Sequence, residues 1–309
     1  METPFSGPLA AKGTMELKAE RRVINGSFSR RHRLALRFLD SVPSGALERV
    51  LFGSSRFCIP LQIAVQHFLG GLFDARIEFT GGLLRGRLFE CFSGEKYFIL
   101  GSHYEHTTQM FLQEIVKMGD VVYDVGANAG YTTLLLSTLC GPSGHVFAFE
   151  PSELNFSRLR RNMEINHESR VTLVNLAVSD DERFGFLAEM GTGSRLVSGG
   201  PHPAVGHSEV RTIRLDDFVY RDGHPAPLVL KIDIEGHAGE CLRGAHVILQ
   251  KARPNVICEV HHDEEFDGVR QALAPYSYRV AEVDSVRRYP RHIVATPCQV
   301  LDSARRTHG

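Results

Sequence analysis

A carboxylate stands inside a run that should be wholly apolar. In Val121-Val-Tyr-Asp-Val-Gly-Ala-Asn-Ala-Gly-Tyr131 a hydrophobic stretch carries Asp124, then closes on a turn bounded by Gly126 and Gly130. This reads as a buried strand, a tight turn and a helix start. Such a turn lets backbone approach a ligand closely and aims helix N–H groups at it. The next apolar run ends on Glu150-Pro151. An acid after the second strand, about 20 residues or slightly more beyond the loop, suits a ribose diol. The pattern points to an adenosine-containing cofactor.

The glycines narrow the choice. A dinucleotide loop follows G-x-G-x-x-G, whose second glycine lets a pyrophosphate lie against backbone. Counted from Gly126, the second and third positions are Asn128 and Tyr131, and both fail. A carboxylate just before the turn would repel a pyrophosphate and attract the ammonium of a methionine moiety. This favours S-adenosylmethionine (SAM) over NAD. Asp124 also needs a partner, because an uncompensated buried charge is costly.

Basic and acidic residues nearly cancel, 35 against 36, which argues against bulk electrostatic capture of nucleic acid. Six cysteines without C-x-x-C spacing indicate neither a zinc knuckle nor a redox dithiol and fit a reducing, cytoplasmic setting. Met1–Lys18 lacks the order of a secretory signal. The most apolar window, Phe57–Phe73, contains Pro60, Gln62, Gln66 and His67 and is short for a membrane span. It reads as a core or interface helix, a surface on which a second copy of the chain could pack. The arginines between Arg21 and Arg37 read as a solvated helix face, with weak contact to an anionic membrane as the alternative.

Four segments are expected. Residues 1–43 read as a flexible tail and 44–118 as an α+β leader. Within the leader, strands flank Gly81-Gly82, a third strand is expected at Tyr97–Leu100 and a helix over Thr107–Met118. Residues 119–300 read as a domain of alternating strands and helices, and 301–309 as a tail. Strands are expected at Val121–Val125, Val146–Glu150, Val171–Val178, Leu228–Ile234 and Asn255–Val260, with a last antiparallel edge pair at Tyr278–Val283 and His292–Thr296. This alternation implies a mostly parallel sheet covered on both faces. The polar stretch Gly191–His207 is too long for a plain connector and reads as a lid.

Ligands of such sheets bind outside the carboxyl ends of the strands. On the cofactor side that rule selects Asp124, Gly126, Ala127, Asn128, Gly130, Glu150, Pro151 and Ala177. It also gathers Asp233, Glu235, His237, His261 and His262 after the fourth and fifth strands. In an extended strand Lys231, Asp233 and Glu235 share one face. A carboxylate or neutral histidine there can take a proton from an acceptor hydroxyl, making Asp233, Glu235, His237 and His261 the catalytic candidates. The same groups, Asp233, Glu235 and His261 in particular, offer ligands for a divalent cation. His261 and His262 point to opposite faces, so at most one serves directly.

Tyr123-Asp-Val-Gly-Ala-Asn-x-Gly130, Phe149-Glu-Pro151, Leu215-Asp-Asp217, Lys231-Ile-Asp-Ile-Glu-Gly236 and Leu242-x-Gly-Ala245, in this order, resemble the FkbM family of SAM-dependent methyltransferases. The resemblance covers roughly residues 97 to 262. It implies a Rossmann-like class I methyltransferase fold of seven strands, and methyl transfer to a hydroxyl of a sugar, glycolipid or polyketide-type natural product. By the same resemblance Asp124, Gly126, Asn128, Glu150 and Asp233 would hold SAM. Glu105, in Tyr104-Glu105, would close over it. One departure stands out: Ala238 occupies a position after Gly236 where members often carry Glu. It moves that task to His237, or marks a catalytically weak SAM-binding scaffold of the same fold.

Overall fold

Ala75-Arg-Ile-Glu-Phe79 alternates apolar and charged residues with the period of a half-buried strand, and Leu88-Phe-Glu-Cys91 answers it. In the computed structural model β1 (Arg21–Asn25), β2 (Ala75–Phe79) and β3 (Leu88–Cys91) form an antiparallel sheet in the order β1-β2-β3. Ile77 faces Phe89 across the ladder, and both are fully buried. Arg76 stands opposite Glu90 and donates to it from Nε at 3.1 Å. The hairpin expected around Gly81-Gly82 is present. β1 lies in the stretch read as a tail; a five-residue strand is too short for its alternation to show in the sequence.

The structure describes residues 21–25, 75–91, 106–190, 193–197, 207–282 and 290–298. Phe57–Phe73, Tyr97–Leu100 and Tyr104-Glu105 lie outside the described residues. The chain divides into two compact units, Met1–Tyr104 and Glu105–Gly309.

The second unit opens with α1 (His106–Ile115), where the spacing predicts a helix. Alternation of strand and helix follows: β4 (Val121–Val125), α2 (Tyr131–Cys140), β5 (His145–Phe149), α3 (Glu153–Ile165) and β6 (Val171–Val174). Ser152 caps α3 by accepting from Asn155 N, and Phe156, Leu159 and Met163 bury one face of that helix. Further on come β7 (Ala177–Val178), β8 (Phe184–Met190), β9 (Gly193–Val197), β10 (His207–Ile213) and β11 (Val229–Ile232). The unit closes with α4 (Ala238–Arg243), α5 (His246–Lys251), β12 (Asn255–Val260), α6 (Asp263–Leu273), β13 (Tyr278–Glu282) and β14 (Arg291–Pro297).

Seven strands form the central sheet in the order β13-β14-β12-β11-β4-β5-β6. β6, β5, β4, β11 and β12 run parallel, while β14 is antiparallel to both β12 and β13. The sheet is thus the mostly parallel, seven-stranded one expected. The reversed strand, however, is one in from the edge, because β14 inserts between β12 and β13. Tyr123, Phe147, Phe149 and Phe218 pack with ring centroids 5.1–5.8 Å apart in its core.

The single strand expected over Val171–Val178 is two. β6 pairs with β5, whereas β7 turns away to pair in parallel with β10. Between them Asn175 Nδ2 donates to the carbonyls of Glu150 (3.0 Å) and Pro151 (3.3 Å). β7 thereby starts a second sheet, ordered β7-β10-β8-β9. The stretch read as a lid supplies β9 and the first residue of β10. Among the described residues no helix is long and apolar enough to cross a membrane.

Asp216 explains one sequence motif. It is buried, and its carboxylate accepts from Val247 N and Ile248 N, both at 2.9 Å, in the first turn of α5. His246 Nδ1 lies 2.8 Å away. An anion bonded to helix N–H groups is a favourable cap. Asp216→Ala is expected to cost about 2–4 kcal/mol in urea unfolding, and Asp216→Asn, which keeps one acceptor, less than half of that.

Candidate functional site

Three residues of the β4–α2 turn have backbone that favours small or special residues: Gly126 (φ 83°), Asn128 (φ 49°) and Gly130 (φ 94°). A Cβ on Gly126 would sit 1.9 Å from the carbonyl oxygen of Asp233, so the turn lies directly against the end of β11. A Cβ on Gly130 would meet Leu159 at 2.6 Å, so this glycine lets α3 close on the turn. Gly126 N and Ala127 N both donate to Phe149 O at 3.0 Å. α2 begins at Tyr131 without a side-chain cap, which leaves its first turn as an anion-seeking end.

Glu150 sits at the rim of this turn, buried. It accepts from Asn128 N at 2.8 Å and Ser152 N at 2.9 Å. Burial raises its pKa to about 7, against the pull of those two N–H donors and of Lys231. Desolvation here outweighs hydrogen bonding.

Asp124 is fully buried, and its partner is internal. Lys231, its direct neighbour in the β4–β11 register, brings Nζ to 3.2 Å from Asp124 Oδ1. Thr133 of α2 donates to Oδ2 at 2.7 Å. Lys231 also donates to Gly126 O at 3.1 Å and lies 3.5 Å from Asp233. One ammonium thus ties the second half of β4, the turn and the end of β11 together.

Beyond β11 and β12 a further group converges. One ligand atom each from Asp233, Glu259 and His261 lies within 4.8 Å of the others. His261 Nε2 is 3.6 Å from Glu259, and its Nδ1 3.4 Å from the buried Glu265. His292 of β14 reaches Glu259 at 3.4 Å and is held by Thr108 of α1 at 2.9 Å. Burial would lower the His261 pKa, but the hydrogen bond to Glu265 and the charges of Glu259 and Asp233 raise it to about 9. Burial and then repulsion from Glu259 raise Asp233 to about 6. Burial pushes Glu259 up as well, but its bond to His292 and the His261 charge hold it below the ordinary range.

Glu235 and His237 fall elsewhere. β11 ends at Ile232 and the chain turns through Gly236 (φ 78°), so strand alternation does not reach Glu235. Both residues line a cleft, partly open to solvent, with Val125, Gly126, Phe149, Pro151, Leu176, Ala177, Val178 and Ile234. Leu187 of β8 and Leu196 of β9 form its far wall. His237 Nε2 lies 3.0 Å from Ser179 Oγ, and burial lowers its pKa. His262 is a helix cap, accepting from Glu265 N at the start of α6. Ala238 is buried, and its N–H donates to Glu265 at 3.2 Å.

The structure therefore gathers Gly126, Pro151, Ala177, Glu235 and His237 around the cleft, with Asn128 bonded to Glu150. It groups Asp233 and His261 with Glu259, not Glu235. Glu105 lies outside the described residues. Sequence reasoning assigned no role to Lys231, Glu259, Glu265 or His292. Two of them left a signal: Lys231 is a lone cation in an apolar run, and Glu259 stands two residues before His261.

Comparison with known proteins agrees with this architecture. Residues 124–280 match the family described as Methyltransferase FkbM domain. The hexuronic acid methyltransferase AglP of Haloferax volcanii is 32% identical over 156 residues, 48% of this chain and 59% of that protein. The chain thus spans less than two thirds of that relative. The 31-O-demethyl-FK506 methyltransferase FkbM of Streptomyces tacrolimicus is 29% identical over 187 residues, 50% of this chain and 71% of that protein. The crystal structure of an FkbM methyltransferase from Methylobacillus flagellatus aligns with a TM-score of 0.43 at 16% identity, over 65% of this chain and 54% of that one. The chain belongs to the FkbM methyltransferase family, and its fold is the Rossmann-like class I methyltransferase fold.

The raised pKa of Glu150 makes stability depend on pH. The folded state holds this proton more tightly than the unfolded chain, so the contribution is full below about 4.5 and lost as pH rises through about 7. Against Glu150→Gln, which has no such proton, the wild type is expected to lose on the order of 3 kcal/mol between pH 4.5 and 7.5. Urea unfolding of both proteins at the two pH values measures the difference.

Proposed function

We propose that this chain transfers a methyl group from SAM to an oxygen of a sugar-type or polyketide-type small molecule. The observation that supports this best is the bonding of Glu150 to the glycine turn, whose Gly126 lines the cleft together with Glu150's neighbours Phe149 and Pro151. The cleft's apolar walls, Val125, Phe149, Leu176, Ala177, Val178 and Ile234, suit a flat base. A carboxylate at the end of β5 suits a ribose diol. The residues present therefore fit SAM.

When bound, SAM would supply a methyl group on a sulfonium: the acceptor oxygen would bond to the methyl carbon as the C–S pair returns to sulfur, and the hydroxyl proton would pass to a protein base. In this reading Glu150 accepts from the ribose hydroxyls, and the turn with the start of α2 receives the methionine end. Asp124 acts through Lys231, because its carboxylate already holds that ammonium. Asp233 takes the acceptor proton. It lies in the cluster at the ends of β11 and β12, and unlike Glu259 it has no histidine bonded to its carboxylate among the described contacts. His237, beside Ser179 on the cleft wall, serves base binding.

One relative is named for hexuronic acid and another for 31-O-demethyl-FK506, which supports oxygen as the methylated atom and a sugar or polyketide-type acceptor. The absence of C-x-x-C spacing among the six cysteines of the sequence fits a reducing compartment such as the cytoplasm.

Glu150→Ala is expected to weaken SAM binding at least tenfold by calorimetry, as loss of a charge-assisted pair would. Asp233→Asn is expected to slow turnover about 100-fold or more while SAM affinity stays within about threefold. Unchanged SAM affinity in the first variant removes Glu150 from the cofactor site. Full turnover in the second removes Asp233 as the proton acceptor.

A further inference from the structure

We propose that the carboxyl ends of β11 and β12 bind one divalent cation of the manganese or magnesium type, with Asp233, Glu259 and His261 as its protein ligands. One carboxylate oxygen from each acid and one ring nitrogen of His261 lie within 4.8 Å of one another. An ion with ligand bonds of about 2.0–2.3 Å bridges that spacing with small side-chain rotations. Two carboxylates and an imidazole are a donor set that such ions accept.

The backbone explains the convergence. Glu259 stands in β12 and His261 directly follows its last residue, Val260, with His261 Nε2 3.6 Å from the Glu259 carboxylate. Asp233 follows Ile232, which is paired with Cys258 in the parallel register. The three side chains are 25%, 14% and 26% exposed. The group is thus neither sealed nor on open surface, and coordination positions remain for water and an acceptor oxygen.

The surroundings resemble an outer ligand shell. Glu265, whose side chain is fully buried, lies 3.4 Å from His261 Nδ1, leaving Nε2 on the side of Glu259. Glu265 is itself fixed by the N–H groups of His261 (2.8 Å) and Ala238 (3.2 Å). On the other side His292, held by Thr108, braces Glu259. A carboxylate behind a histidine and a histidine behind a carboxylate are what orients ligands toward a metal. Lys231 offers one positive charge, which it divides between Asp124 and Asp233, and an ion bound here takes the place of the proton that the carboxylates hold on His261. Asp233 would give one oxygen to the ion and keep the other for the acceptor hydroxyl.

That the ion holds an acceptor oxygen rests on the methyl-transfer reading; binding of the ion does not. The test therefore uses Mn²⁺ alone with the full chain and no SAM. Calorimetry is expected to show one saturable Mn²⁺ per chain, weakened at least tenfold by Glu259→Gln and by His261→Asn. Glu264→Gln, exposed on α6, should leave it unchanged. Electron spin-echo spectra of Mn²⁺ on the wild type should show a directly bound imidazole nitrogen, a readout that stands even if a variant fails to fold. The proposal is overturned by no saturable binding up to millimolar Mn²⁺, by no nitrogen coupling, or by binding that folded Glu259→Gln and His261→Asn proteins leave intact. A chain that binds Mn²⁺ but no SAM keeps this proposal and sinks the preceding one.

Discussion

The buried pair of Asp124 and Lys231 is the interaction on which the site depends. It forms because two neighbouring parallel strands, β4 and β11, place the residues opposite one another in register. Each charge would be untenable inside the sheet alone. Together they form an ion pair at 3.2 Å, with the Thr133 hydroxyl donating to Asp124 and the Gly126 carbonyl accepting from Lys231. The ammonium thereby fixes the position of the turn relative to the end of β11. The geometry on both sides of that turn follows from it.

Much of this architecture could be read from the residues. Apolar runs of strand length between glycine-marked turns indicate β4, β5, β11 and β12, and the amphipathic spacing of Phe156, Leu159 and Met163 indicates α3. The oddity of Asp124 was visible as a charge in need of a partner. Its partner was not, because strand register joins residues far apart in the chain and no local pattern encodes it. The break of β6 from β7 depends on Asn175 reaching the carbonyls of Glu150 and Pro151, a tertiary event. β1 is too short to show a period. Placing Glu235 with Asp233 failed because alternation holds only while the strand lasts, and β11 ends at Ile232.

The two histidines expected to compete for one task have different surroundings. His237 is partly desolvated beside a hydroxyl, which disfavours its charged form. His261 is also partly desolvated, but it stands among three carboxylates, which favour its charge more than burial opposes it. Sequence spacing brings both to the same end of the sheet; the carboxylates of Glu265, Glu259 and Asp233 around His261 separate them. Glu265 and His292, which carry no motif, therefore set the chemistry of residues that do.

The second sheet joins the seven-stranded one at β7, which follows β6, and at β10, which runs on into the buried Leu215, Asp216 and Phe218. Among the described residues β7 follows β6 and pairs with β10, and beyond β10 the strands β8 and β9 supply Leu187 and Leu196 to the lining of the cleft. The glycine turn with its Lys231 tie and the roof formed by Leu187 and Leu196 are thus built from separate ladders. Lengthening, trimming or exchanging the outer β8–β9 hairpin would reshape that roof without disturbing a single bond around Lys231. Such modularity separates the shape of the cleft's outer side from the strand register that fixes the turn.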